Sequence, residues 1–266
     1  EDFIYSHVGE AVVADMFAGS GREHEDVVET IRKKLKPVSF ATGKKVTIKN
    51  TTKHVADGTT SNVIGLIEGS DPELKHELIV LGAHLDHMGY CYEMIPGSND
   101  NASGVAVILG AAEALSQVKD KLKRSVLILI LGAEEQGVAG AKYYLDHPVA
   151  PIEDHVCLLN YDGVGAGHRI GGLAGKNYRE SWAHIKEAND TYVHRELQAW
   201  ETENLARPRL DAARFMWAGI PSVSFSVSGS TSYYHVPKDN MEIITPEVME
   251  DLAQITFLGV LGLAGE

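Results

Sequence analysis

Four short blocks of nearly unbroken apolar residues recur along the chain: ELIVLGAH (77–84), RSVLILILGA (124–133), HVCLLNYD (155–162) and IPSVSFSV (220–227). Between and after them lie segments with helical spacing, SGVAVILGAAEALSQV (103–118), AGAKYYLDH (139–147), a stretch near 178–189 and another over 246–263. A strand that is apolar on both faces must be buried on both, and strands alternating with helices build a sheet covered on each side. The expected fold is therefore α/β: a mixed, mostly parallel central sheet with helices on both faces. At 266 residues and 44% hydrophobic content, one large domain can bury a full core. Ahead of the alternation, residues 22–36 place acids early and bases late, as in a helix aligned with its dipole, and Pro37 stops it. KKVTIKN (44–50) and TSNVIGLIEG (60–69) read as an antiparallel strand pair at the sheet edge.

Charge narrows the partners. A formal net charge of -13 opposes binding to nucleic acid or anionic membrane and favours a small or neutral partner. No run in the sequence reads as the roughly 20 apolar residues that cross a bilayer, so a soluble chain without a spanning segment is expected. Cys91 and Cys157 are expected to be free and structural. The sequence opens without Met or a signal peptide, which suggests a processed or excised form.

In open α/β sheets, ligands bind beyond the carboxyl ends of the strands. The residues expected there are unusual: His84 with Asp86 just after it, the adjacent pair Glu134 and Glu135, Asp162, Asp100 just before a helix, and His235 in the loop after IPSVSFSV. Taken singly, HLDH is an ordinary surface turn and a Glu pair an ordinary helix start. Taken together at one edge, the carboxylates would repel one another unless a cation neutralised them. Two imidazoles with several carboxylates suit zinc or a related divalent ion, and one carboxylate can bridge two ions about 3.5–4 Å apart. The remaining histidines, His87 among them, read as surface or structural.

The strings GAHLDHMG, GSNDNASGVAVIL, GAEEQGVAGAKYY, LNYDGVG and YYHVPKDNME, in this order, resemble the M28 family of zinc exopeptidases, in particular its bacterial leucyl aminopeptidase-like group. The likeness covers roughly residues 60–263. It implies a zinc exopeptidase fold of the phosphorylase/hydrolase-like kind and two zinc ions per chain. It implies further that His84 and Asp162 hold one ion, that Glu135 and His235 hold the other, and that Asp100 bridges them. Asp86 would orient His84, Glu134 would be the general base, and Tyr234 would steady the oxyanion. A cis peptide after Asp100 is also implied. The two neighbouring glutamates would thus divide the work between metal binding and proton transfer.

The sequence departs from the family pattern in PRLDAARFMWAGIPSVSF, where Leu210 and Ala212 stand in place of Ser and His while Asp211 and Phe215 remain. That difference bears on the substrate pocket. The resemblance suggests that residues 1–50 form an N-terminal segment packed on the core, the exit from an absent protease-associated domain, with residues 51–266 as the di-zinc peptidase domain. Export to the periplasm or medium is expected, and the oligomeric state stays open. The implied activity is hydrolysis of the N-terminal bond of peptides by a metal-activated water. Arg207, Arg209 and Arg214 keep a carboxypeptidase as an alternative, and a glutaminyl cyclase-like single-zinc acyltransferase is another. A non-catalytic receptor version of the domain is disfavoured, because all five ligands are present.

Overall fold

The structure, a computed structural model, describes residues 8–49, 55, 57–91, 93–202 and 210–265. The chain divides into two compact units, Glu1–Asp57 and Gly58–Glu266. In the first, helices α1 (Glu10–Phe17) and α2 (His24–Lys34) are joined by a short turn. Phe17 packs edge-on against Phe40 with ring centroids 5.5 Å apart. The described part of KKVTIKN, residues 44–49, is not a strand, and Val46 and Ile48 are exposed. Alternation alone favoured a strand there, but both of its apolar residues face solvent.

The second unit holds a seven-stranded sheet in the order β1-β5-β2-β6-β9-β7-β8. Its strands are β1 (Val63–Ile67), β2 (Leu78–His84), β5 (Ser125–Leu131), β6 (His155–Tyr161), β7 (Arg169–Leu173), β8 (Leu197–Ala199) and β9 (Ser222–Ser228). A separate two-stranded ribbon joins β3 (Gly89–Tyr90) to β4 (Met94–Ile95). The centre, β5-β2-β6-β9, is parallel throughout, while β1 pairs antiparallel with β5 and β7 antiparallel with β9. The strand that pairs with β1 is therefore β5.

Helices cover both faces. On one, α3 (Ser103–Gln117), α5 (Arg179–Ala188) and α7 (Pro246–Gly265) enclose a core that includes Ile79, Leu81, Ile108, Leu115, Tyr161, Phe225 and Leu252. On the other, α4 (Ala139–Asp146) and α6 (Asp211–Trp217) pack over Val80, Leu127, Leu129, Leu158 and Phe215. Contrary to the expectation that no run could span a bilayer, α7 is long and apolar enough by length and composition. Its apolar residues Val248, Leu252, Ile255, Val260 and Leu263 are buried in this core against α3 and α5, which accounts for the composition. Cys91 is a free exposed thiol and Cys157 a free buried one.

Candidate metal centre

Parallel strands in adjacent positions end side by side. His84 closes β2, Glu134 and Glu135 follow β5, and Asp162 follows β6, where its N–H donates to Phe225 O at 3.1 Å. His235 enters from the loop after β9 with a left-handed backbone, φ 56°. Asp100 sits in an irregular turn, Ser98–Ala102, ahead of α3. The Asp100–Asn101 peptide is cis.

This turn is fastened from two sides. Asp239 accepts the main-chain N–H of Asn99 at 2.6 Å and of Asp100 at 3.0 Å. Asn101 donates to Tyr161 O at 2.8 Å and accepts Gly163 N–H at 3.3 Å, which ties the turn to the end of β6. Neither Asp239 nor Asn101 stands out in the sequence as a support for the site. The acid of the local string PKDN is the one signal, and its target lies 140 residues upstream in the chain.

Asp86 supports the site differently from the sequence expectation. The Nδ1 of His84 meets the main-chain carbonyl of Asp86 at 3.0 Å, whereas the carboxylate lies 3.8 Å away. That carboxylate instead accepts the N–H of Glu134 at 2.9 Å and of Glu135 at 3.1 Å. The same residue thus fixes the imidazole through its backbone and the glutamate pair through its side chain.

Two donor clusters share Asp100. One contains His84, Asp100 and Asp162, the other His87, Asp100, Glu135 and His235, and within each the candidate ligand atoms lie within 4.8 Å of one another. His84 Nε2 is 3.3 Å from Asp100 Oδ1 and 3.6 Å from Asp162 Oδ1. His235 Nε2 is 3.4 Å from Asp100 Oδ2 and 3.1 Å from Glu135 Oε1. His87 corrects the sequence reading: it is neither on the surface nor remote, for its side chain is only 6% exposed and its Nδ1 lies 2.9 Å from Glu135 Oε1. Its signal was the H-x-D-H spacing, which puts two imidazoles within one short turn of chain.

Electrostatics show what the clusters need. Burial depresses the imidazolium of His84, but Asp100 and Asp162 outweigh it and carry the pKa up to about 12. Without another cation, the site draws a proton onto this ring to offset its acids. Burial, reinforced by Asp211, Asp162 and Glu135, pushes Glu134 up to about 8. Burial likewise pushes Asp211, at the start of α6, up to about 7. Several of the donor atoms, including Glu135 Oε1 and His235 Nε2, are closed off from solvent and make no hydrogen bond. Native proteins seldom leave buried polar atoms so, and divalent cations would satisfy both their lone pairs and their charge. Nitrogen and carboxylate donors at this density fit two zinc ions.

The profile of peptidase family M28 matches residues 62–259, three quarters of the sequence and all of these donors. The chain belongs to peptidase family M28. Relatives within reach of this sequence include Aminopeptidase YwaD of Bacillus subtilis (strain 168), 25% identical over 228 residues that cover 78% of this chain and 46% of the relative. Another is the probable leucine aminopeptidase 2 of Aspergillus oryzae, 32% identical over 178 residues, or 62% of this chain and 33% of the relative. Among solved structures, the zinc aminopeptidase BSAP from Bacillus subtilis superposes with a TM-score of 0.67 at 24% identity, covering 78% of this chain and 51% of that one. This last likeness bears on the fold. The chain spans less than half the length of the two curated M28 relatives.

Tyr234, the residue expected to steady an oxyanion, lies stacked on the ring of His235 with centroids 3.6 Å apart, and it lines the same cavity as His84, Glu134 and Asp162. Of the three arginines weighed as carboxylate clamps, Arg207 and Arg209 fall outside the described residues. Arg214 lies over the ring of Trp217 at 5.5 Å.

Proposed function

We propose that the chain is a zinc-dependent aminopeptidase, hydrolysing the N-terminal peptide bond of peptides. The observation that carries this reading is the pair of donor clusters sharing Asp100 with Glu134 beside them. In it, His84 and Asp162 would hold one ion, Glu135 and His235 the other, and Asp100 would be shared between them. When bound, such a pair lowers the pKa of a coordinated water to about 7 and polarises the substrate carbonyl. Glu134 takes the proton of the water and returns it to the leaving amine, a transfer suited to a carboxyl whose pKa is raised toward neutrality. Asp86, by binding both N–H groups of the glutamate pair, keeps Glu134 facing the reaction and Glu135 facing its ion. The Tyr234 hydroxyl donates to the carbonyl oxygen as charge gathers there.

Direction follows from charge. The site opens into a cavity of about 510 Å³, and among its described lining residues none is Lys or Arg, whereas Asp100, Glu134, Glu135, Asp162 and Asp239 all contribute. Such a wall favours a substrate ammonium, while a terminal carboxylate would call for a guanidinium clamp. Two clusters with one shared carboxylate also weigh against a single-zinc acyltransferase. Export rests on the family resemblance, and fractionation of the native host would test it.

One peptide in three forms tests the function: free, N-acetylated and C-amidated, with zinc measured on the same preparation. Acetylation should stop cleavage while amidation leaves it nearly unchanged. The reverse pattern would make the protein a carboxypeptidase, and full activity without metal would remove the proposed chemistry.

A further inference from the structure

We propose that His87 is a fourth protein ligand at the Glu135–His235 metal position, so that the two positions differ: one closed by four protein donors, the other held open by three. The inference rests on the two-metal reading above and extends it to a residue outside that five-ligand set.

His87 Nδ1 stands 2.9 Å from Glu135 Oε1, within hydrogen-bonding distance, yet both ring nitrogens of His87 and that oxygen are buried and unbonded. His235 Nε2 is in the same condition 3.1 Å from the same oxygen. Three buried polar atoms this close together, none of them sharing a hydrogen bond, are a set that a cation would complete.

Distances agree. Zinc–donor bonds of about 2.0–2.2 Å set the edges of a ligand tetrahedron at roughly 3.3–3.6 Å. The observed separations, 2.9 Å from His87 Nδ1 and 3.1 Å from His235 Nε2 to Glu135 Oε1, 3.4 Å from His235 Nε2 to Asp100 Oδ2 and 3.8 Å from His87 Nδ1 to Asp100 Oδ1, straddle that range, with Asp100 presenting one oxygen to each imidazole.

The ring is also held in place. It stands edge-on to His235, with centroids 5.3 Å apart and planes at 80°. Its other side lies against Gly97, where a Cβ would come within 2.5 Å of His87 Cγ and where φ is 71°. A side chain at Gly97 would therefore be strained and would displace the imidazole.

The consequence is a division of labour. A zinc ion with four protein ligands has the closed coordination of a structural site, whereas three ligands leave a place for water. His84, Asp100 and Asp162 form the three-donor set. The four-donor set, His87, Asp100, Glu135 and His235, would then be the closed position and anchor Asp100 and Glu135.

The test uses the chelated full chain titrated with zinc by calorimetry, in wild type, His87→Ala and His87→Asn, with zinc X-ray absorption on the loaded forms. Wild type should bind two ions and show three imidazoles per ion pair, and each variant should show two. Each variant should lose more than about 100-fold in affinity at one position and little at the other, beyond the 10–100-fold typical of an outer hydrogen-bonding partner. Unfolding of the metal-free variants shows whether the fold is retained, and Asn provides the milder change in volume. Two ions bound with unchanged affinities, or the same imidazole count in wild type and variants, would overturn the role of His87 and leave the five-ligand site standing. A wild type that binds no zinc would overturn both.

Discussion

Replacing Asp239 by Asn should damage the metal centre without touching a metal ligand. Asp239 is 1% exposed and binds two consecutive main-chain N–H groups, those of Asn99 at 2.6 Å and Asp100 at 3.0 Å. An amide of the same shape keeps one acceptor, now neutral, and turns an NH2 group toward the other N–H. A charged hydrogen bond contributes about 1.5–3 kcal/mol and a neutral one about 0.5–1.5 kcal/mol, so losing one and weakening the other costs about 3 kcal/mol. For a domain of this size each kcal/mol moves Tm by about 2–4 °C, and a fall of roughly 10 °C is expected in the chelated protein. Zinc should also bind more weakly, since Asp100 belongs to both clusters. Calorimetric unfolding with and without zinc measures both effects. Asp71→Asn is the control: Asp71 accepts two main-chain N–H groups, from Glu73 and Leu74, both on Oδ1, so an amide there keeps both bonds, in a half-buried turn away from the site. If Asp239→Asn behaved like that control, with Tm within about 2 °C of wild type and zinc affinity intact, the reasoning would fail.

The glutamate pair should separate by mutation. Glu134→Gln should keep both zinc ions and lose about 10²–10⁴ in kcat, the range of a positioned general base, while Glu135→Gln should lose affinity for one ion; equal metal loss with equal activity would contradict the roles. Acidity should govern the metal-free protein. Glu134 and Asp211 are held up to about 8 and about 7, chiefly by burial, so the native state keeps protons that the unfolded chain releases above about pH 4. Stability of the chelated form should therefore fall as pH rises from about 4 to about 8, and His84, raised as well, extends the loss to higher pH. Zinc displaces these protons, so the Tm difference between loaded and chelated protein should widen between pH 5 and pH 8, and a constant or narrowing difference would count against the site.

The sequence by itself determined the layered α/β core and the place where chemistry would gather. Strands β2, β5, β6 and β9 are legible because burial on both faces demands near-continuous apolar runs, and the polar residues that end them announce the carboxyl edge. Other elements are illegible for equally physical reasons. Strand β7, RIGGL, lacks the side chains of a strand because Gly171 and Gly172 make room for Trp200 and Trp182, whose ring atoms would lie 2.2 Å from any added Cβ. Residues 44–49 have a strand's alternation, yet Val46 and Ile48 stand exposed and form no strand. At the site, local spacing could announce His84 and the glutamate pair, but it could not show that Asp239 reaches back 139 residues to hold Asp100. Nor could it show that the chain after β2 turns His87 inward against Gly97, Glu135 and His235. Those juxtapositions exist only once the strands have been ordered in the sheet, because a ligand set is defined by where lone pairs converge in space and not by their order along the chain.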